Sequence, residues 1–469
     1  MKTSSINGLR TLAATVAVVL AACGGGADPL AGEGTPPTPP PTSQPPPSPE
    51  QPFVGAVYAG TNDPGPGGNT VVGFGRLPSG KLVALDAYET GGVGRAGPTP
   101  PRLNSLISED SIIAVEGRFL LVVNAGSNDV TAFRINPDFT LTRTDIEASG
   151  GTSPISLAYR NGVVYVANAD EDGVFGGPPG QSGNITTMRI DLSTGELSAL
   201  PGMSVSLLAR PADLEITPDG YYLVVSSLNA GSALLPSPTA AEISTFLIKN
   251  DGTLAATPSG TGQSTQVGDA AGRNLPNAIG IETFAWEGRQ FVIAAEARTA
   301  SPSGMPPASL AEIQTGSVST WEINADGTLL PRSQDFLLGP SMNSGPLQPG
   351  FLAYSGDYSA FWVSSSAGAT IHGYGLGDDG TVARGERVGS GTPADVTSDT
   401  PFANADGFVD LVISPDRRWL YQLVGLKGRI DVYEIDESVA FNIALRQSVS
   451  TELLPTDNLQ GLVAVGPAT

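Results

Sequence analysis

The chain has 469 residues, 59 of them Gly and 40 Pro, and a formal net charge of −22 from 24 Lys and Arg against 46 Asp and Glu. So acidic a body repels phosphate backbones and anionic headgroups, which excludes nucleic acid as a partner. A single cysteine excludes a disulfide framework, and a single histidine excludes a His-rich metal centre and His-based acid–base chemistry.

The first segment is an export signal. Lys2 and Arg10 make a positive start, Leu12 to Leu20 an uncharged apolar stretch, and Ala21-Ala22 a small-residue cleavage site. The stretch is shorter than the roughly 20 apolar residues a spanning helix needs. It ends in Leu20-Ala21-Ala22-Cys23, which resembles the lipobox of bacterial lipoproteins. The resemblance implies that residues 1–22 are removed and that Cys23 is acylated, making a lipid bilayer the first expected partner. Several acyl chains anchor stably where one would not. Gly24 in place of Asp implies, again by resemblance, an outer-membrane lipoprotein facing the periplasm or the exterior. Residues 23–52 then form a tether: the proline clusters between Pro36 and Pro47 favour polyproline II, about 3.1 Å per residue, so residues 35–52 reach roughly 50 Å.

From residue 53 to 469 the sequence predicts one all-β domain. A short strand recurs seven times, each ending on a large residue: Phe74, Phe133, Met188, Phe246, Trp321, Tyr374 and Tyr433. Most copies are followed by a Gly turn, as at Ser79-Gly80, Asp251-Gly252, Asp326-Gly327 and Asp379-Gly380. An apolar strand and, before it, a further short one precede the copies. Each unit is thus a four-stranded meander, and seven units predict a seven-bladed β-propeller. The first unit lacks an innermost strand and the tail carries a spare one ending at Val465. Pairing the tail with the N-terminal blade closes the ring and removes an open sheet edge. A monomer is expected.

The tight Gly turns fall on one face of such a ring and the long connections on the other, including 61–69, 86–105, 169–183, 228–241, 255–276, 296–316 and 389–406. A site is therefore expected on the loop-rich face, over the channel, at the starts of the innermost strands. The repeats resemble the lactonase-like seven-bladed propellers, the family of 6-phosphogluconolactonase and carboxymuconate cyclase. The likeness covers about residues 53–465 and is clearest at Phe119–Phe133 (FLLVVNAGSNDVTAF) and Thr217–Ser226 (TPDGYYLVVS). It implies a small lactone or carboxylated sugar as ligand. Family enzymes carry His, Arg and Glu at the channel mouth, whereas the one histidine here, His372, falls mid-blade in the third strand of unit six.

Any chemistry must then come from carboxylates and arginines. Arg210 and Asp213, which open an inner strand, are the expected catalytic pair; Glu109, Asp110, Arg273, Asn277, Asp406 and Gln460 are the expected ligand contacts. The acidic run Asp170 to Asp172 lacks calcium-loop spacing and reads as a solvated loop, so neither metal nor cofactor is expected. Two functions fit: a lipid-anchored lactonase-like propeller that binds or hydrolyses a small molecule, or a non-enzymatic platform for a protein or polysaccharide partner of the cell envelope.

Overall fold

The computed structural model describes residues 52–66, 68–95, 105–169, 183–228, 242–263, 276–299, 313–336, 349–356, 360–393, 404–436 and 441–467. The signal, Cys23, the tether, Arg273 and the acidic run Asp170 to Asp172 lie outside them.

Seven four-stranded antiparallel sheets follow one another along the chain. The first holds β1 (Gly55–Gly60), β2 (Thr70–Arg76) and β3 (Leu82–Glu89). The second comprises β4 (Ile112–Val115), β5 (Phe119–Asn124), β6 (Asp129–Ile135) and β7 (Leu141–Ala148). The third has β8 (Pro154–Arg160), β9 (Val163–Asn168), β10 (Asn184–Ile190) and β11 (Leu197–Ser206), and the fourth β12 (Arg210–Ile216), β13 (Tyr222–Leu228), β14 (Glu242–Leu247) and β15 (Gly260–Gln263). Next come β16 (Asn277–Trp286), β17 (Arg289–Thr299), β18 (Ile313–Ile323) and β19 (Leu329–Phe336), then β20 (Pro349–Tyr354), β21 (Ala360–Ser365), β22 (Thr370–Leu376) and β23 (Val382–Ser390). The seventh sheet is β24 (Phe408–Ile413), β25 (Trp419–Val424), β26 (Arg429–Asp436) and β27 (Asn442–Ser450). The tail strand β28 (Leu462–Val465) returns to β1, with Ala56 opposite Val465 and Ala59 opposite Leu462. The ring is closed as the sequence predicts, a seven-bladed propeller whose first sheet is completed by the tail.

Position within a blade explains the composition. The second strands, such as β5, β9, β21 and β25, are buried at every residue because neighbouring blades cover both faces, so they read as unbroken apolar or small runs. The outermost strands face water and alternate, as β7 does. All seven large residues of the recurrent third strand are buried, none more than 5 % exposed. The glycines of the predicted turns, Gly80, Gly252, Gly327 and Gly380, have φ between 77° and 85°, the left-handed region that a Cβ disfavours. Blades are fastened by tyrosine hydroxyls that donate to the next blade's turn: Tyr58 to the Phe139 carbonyl (2.8 Å), Tyr165 to Gly252 (2.9 Å), Tyr222 to Ala325 (3.0 Å) and Tyr421 to Gly80 (3.3 Å).

His372 pairs with Val363 inside the sixth blade and is 1 % exposed. Burial drives its pKa down to about 4, so the ring is neutral in ordinary buffers.

A carboxylate-lined channel as candidate active site

The innermost strands β28, β4, β8, β12, β16, β20 and β24 each touch the next around the channel. Each is also the edge of its sheet, so its outward N–H groups have no partner strand and need another acceptor. Side chains of other blades supply several. The Leu214 N–H donates to Ser156 Oγ (3.1 Å), Ile281 N–H to Asp213 Oδ2 (2.9 Å) and Leu462 N–H to Asp410 Oδ2 (2.8 Å).

The sixth blade cannot be served this way. The fifth blade has Gly280 where the third and fourth have Ser156 and Asp213, and a glycine offers no acceptor. Glu109, from the segment before β4, reaches across instead and accepts the Leu352 N–H at Oε1 (2.9 Å). Its second oxygen lies where a Gly280 side chain would begin: a Cβ there would sit 2.0 Å from Oε2. Gly280 and Glu109 are thus one device.

Residues 105–110 close the channel at the ends from which the inner strands start. Ile107 packs with Ala212, Leu228, Ile279 and Ala297, and Ser108 Oγ donates to the Ile155 carbonyl (2.9 Å). Arg210 donates to the Leu106, Ile107 and Pro211 carbonyls, and Gln460 Nε2 to the Ser108 carbonyl (2.8 Å). Ile107 and Asp110 hold φ of 47° and 54°, a conformation that side-chain-bearing residues adopt only when their surroundings impose it.

Beneath this segment lies a cavity of about 260 Å³, lined by Glu109, Asp110, Glu215, Glu282, Asp410 and the apolar faces of the inner strands. Among the described residues, exposure increases toward the other end. The first residues of β8, β12, β16, β20 and β24 are buried, while the residues near their far ends, Tyr159, Glu215, Glu282, Tyr354 and Val412 among them, are half-buried. The accessible part of the channel is therefore toward the tight-turn face. Among the described residues, 105–110 cover the channel at the loop-rich end, where the sequence places the site.

The carboxylates repel one another in a medium that already disfavours charge. Burial, then mutual repulsion, raises Glu109, Asp110, Glu215 and Glu282 well above the usual carboxylate range. Asp213 is pushed up to about 7 and Asp410 to about 8, burial again being the main cause and their backbone hydrogen bonds opposing it. Asp110 and Glu215 hydrogen-bond to each other. Two carboxyl groups that close together hold a proton between them more readily than two negative charges, which keeps the pair from ionising fully. Among the described residues no group of three or more His, Cys, Asp or Glu side chains is placed to hold a metal ion.

The expected site residues thus divide. Glu109, Asp110, Arg210, Asp213 and Gln460 come together at the closed end of the channel. There Arg210 and Gln460 hold the closing segment, and Asp213 (fully buried) ties three blades through Ser156, Leu214 and Ile281. Asn277, also buried, opens β16. Asp406 stands apart, accepting from the Thr392 N–H (2.9 Å) and pairing with Arg429 (3.2 Å). Glu215, Glu282 and Asp410 escaped the sequence reading. Their signal was an acid alternating with apolar residues inside an inner strand, as in Ala212–Ile216 (ADLEI), where Asp213 and Glu215 share one side of the strand.

No protein-family model and no curated protein matches the chain. Solved structures do. A periplasmic gluconolactonase of Pseudomonas aeruginosa aligns over 88 % of this chain and 99 % of its own, at 16 % identity and a TM-score of 0.56. A Bacteroides fragilis protein provisionally assigned as a 6-phosphogluconolactonase aligns over 88 % and 98 %, at 17 % identity and 0.54. A Lactobacillus plantarum protein aligns over 88 % and 99 %, at 12 % identity and 0.57. At these identities the likeness is one of fold, the seven-bladed propeller.

Proposed function

We propose that the chain is a lactonase-like propeller that admits a small, uncharged sugar lactone to its channel and opens it with the Asp110–Glu215 pair. The observation that carries this is the pair of adjacent carboxyl groups, Asp110 and Glu215, that line one cavity of the channel and act on each other's ionisation in opposite senses. Protonated Asp110 and ionised Glu215 are a general acid and a general base already in contact. Water attacks the lactone carbonyl while Glu215 takes its proton. The ring C–O bond then breaks, and the leaving oxygen takes the Asp110 proton. Return of the proton from Glu215 to Asp110 along their hydrogen bond restores the pair, with lactone and water converted to a hydroxy acid.

Charge selects the ligand. A substrate already carrying a carboxylate or phosphate would have to bring its charge into a cavity where burial already disfavours the ionised forms of Glu109, Glu282 and Asp410, so a neutral lactone is preferred over a carboxylated sugar. The same environment disfavours the charge of the ionised product, which favours release. Acylated Cys23 and the tether would hold the propeller at the cell envelope.

The test is hydrolysis of neutral five- and six-membered sugar lactones by the full chain, followed by proton release at constant pH. Glu215→Gln and Asp110→Asn should each lower turnover about 10²-fold or more, the usual contribution of a positioned acid or base, with melting unchanged; Asp406→Asn should not. Turnover retained in Glu215→Gln would refute the assignment. No turnover on any lactone would leave the non-enzymatic platform in its place.

A further inference from the structure

The tight-turn face carries a second cavity, of about 270 Å³, between the third and fourth blades. Arg160, the last residue of β8, stands on its channel side; Tyr165 and Arg189 come from the same blade, and Tyr221, Lys249 and Asp251 from the next. Three cations thus converge in a chain with 24 Lys and Arg among 469 residues.

Several basic side chains elsewhere on the propeller are neutralised. Arg76 pairs with Asp416 (2.7 Å), Arg289 and Arg332 with Glu322, Arg429 with Asp406 and Asp431, and Arg446 with Glu434 (2.8 Å). In this groove they are not. Arg160 and Lys249 make no ion pair and no hydrogen bond among the described residues, and Arg189 gives one bond, to the Asp251 carbonyl (3.3 Å). The single acid, Asp251, already accepts the Thr253 N–H at Oδ1 (2.9 Å). The lining thus carries three positive charges against one negative charge, with Asp219 in the adjoining turn, on a body of net charge −22.

The groove is also shaped in advance. Gly220, at φ 76°, lets the Arg160 guanidinium lie against the Pro218–Gly220 turn; a Cβ there would stand 2.6 Å from Nε. Tyr165 Oη donates to the Gly252 carbonyl (2.9 Å) and fixes the turn that carries Lys249 and Asp251. Tyr221, 60 % exposed, offers an aromatic ring beside the cations.

We propose that this inter-blade groove binds a compact oxyanion, a carboxylate or a phosphate, carried on a small polar molecule. Arg160 and Arg189 offer forked donors suited to two oxygens of one group, Lys249 adds charge, and Tyr221 covers the attached ring. The site is separate from the carboxylate-lined channel and stands whether or not that channel hydrolyses lactones.

Calorimetric titration of the full chain at low ionic strength with sodium glucuronate, inorganic phosphate and, as neutral control, glucose tests it. The anions should bind, glucose should not, and affinity should fall as salt is raised to 0.1–0.2 M, where the screening length is about 8–10 Å. Binding of glucuronate alone identifies a sugar acid as the ligand class, binding of phosphate alone a phosphate ester, and competition between them a general oxyanion site. The double variant Arg160→Gln/Lys249→Gln should weaken binding at least tenfold with unchanged melting, and Arg160→Lys should recover part of it. Absence of binding by every anion, or undiminished affinity in the double variant, would overturn the proposal.

Discussion

Raising the pH from 4 to 8 should weaken this propeller, the reverse of a protein whose buried carboxylates sit in ion pairs. Asp213 rises from 3.8 to about 7 on folding and Asp410 from 3.8 to about 8. Between those limits the folded chain binds more protons than the unfolded one, so stability is complete below pH 4 as far as these groups are concerned and falls as pH climbs through their folded values. At about 1.4 kcal/mol per pKa unit, Asp213 alone is worth roughly 4 kcal/mol over the window, a large part of the about 5–15 kcal/mol that holds a typical domain folded. Glu322, held down to about 2 by Arg289 and Arg332, acts oppositely but only below pH 4.5, while His372, lowered from 6.5 to about 4 by burial, offsets part of the fall between those two values. Urea midpoints at pH 4.5, 6, 7 and 8 give the measurement. The midpoint should fall steadily, and Asp410→Asn should flatten the fall, because an amide oxygen can still accept the Leu462 N–H while nothing ionises. A midpoint that is level or rising from pH 4.5 to 8 would refute the reasoning.

Other consequences follow from single contacts. Gly280→Ala places a methyl 2.0 Å from Glu109 Oε2 and 2.7 Å from the Gly350 carbonyl, so Glu109 must leave Leu352; overpacking and a lost acceptor together cost about 2–5 kcal/mol in urea unfolding, and wild-type stability would contradict the crossing. Tyr165→Phe removes one inter-blade hydrogen bond and should cost about 1 kcal/mol by the same assay, with no change if that bond contributes nothing. Cys23→Ser should abolish palmitate labelling and move the chain to the soluble fraction; unchanged membrane retention would argue against acylation there.

The architecture was readable because a propeller repeats its chemistry. Phe133 and Trp321 occupy equivalent third-strand positions, and the same buried environment selects a large residue at each. The spare tail strand was equally visible, since a first unit lacking its inner strand calls for a β28. The site was only half visible. Glu109 and Asp110 drew attention as acids before an inner strand, yet their roles depend on partners far along the chain. Nothing local to Glu109 signals that its acceptor serves Leu352, 243 residues away, or that Gly280 makes the room. The covering of the channel by residues 105–110 was hidden for a similar reason. Long connections suggested the loop-rich face, but residues 105–110 fold inward and cover it, held by Arg210 and Gln460 from two other blades.

The role proposed for Asp110 and Glu215 can be tested by one crystal soak. A lactam analogue of a neutral sugar lactone, which the pair cannot open, should appear in the channel cavity with its ring amide within hydrogen-bond reach of both carboxyl groups. Density elsewhere, or an empty cavity at saturating analogue, would contradict a channel built for lactone chemistry.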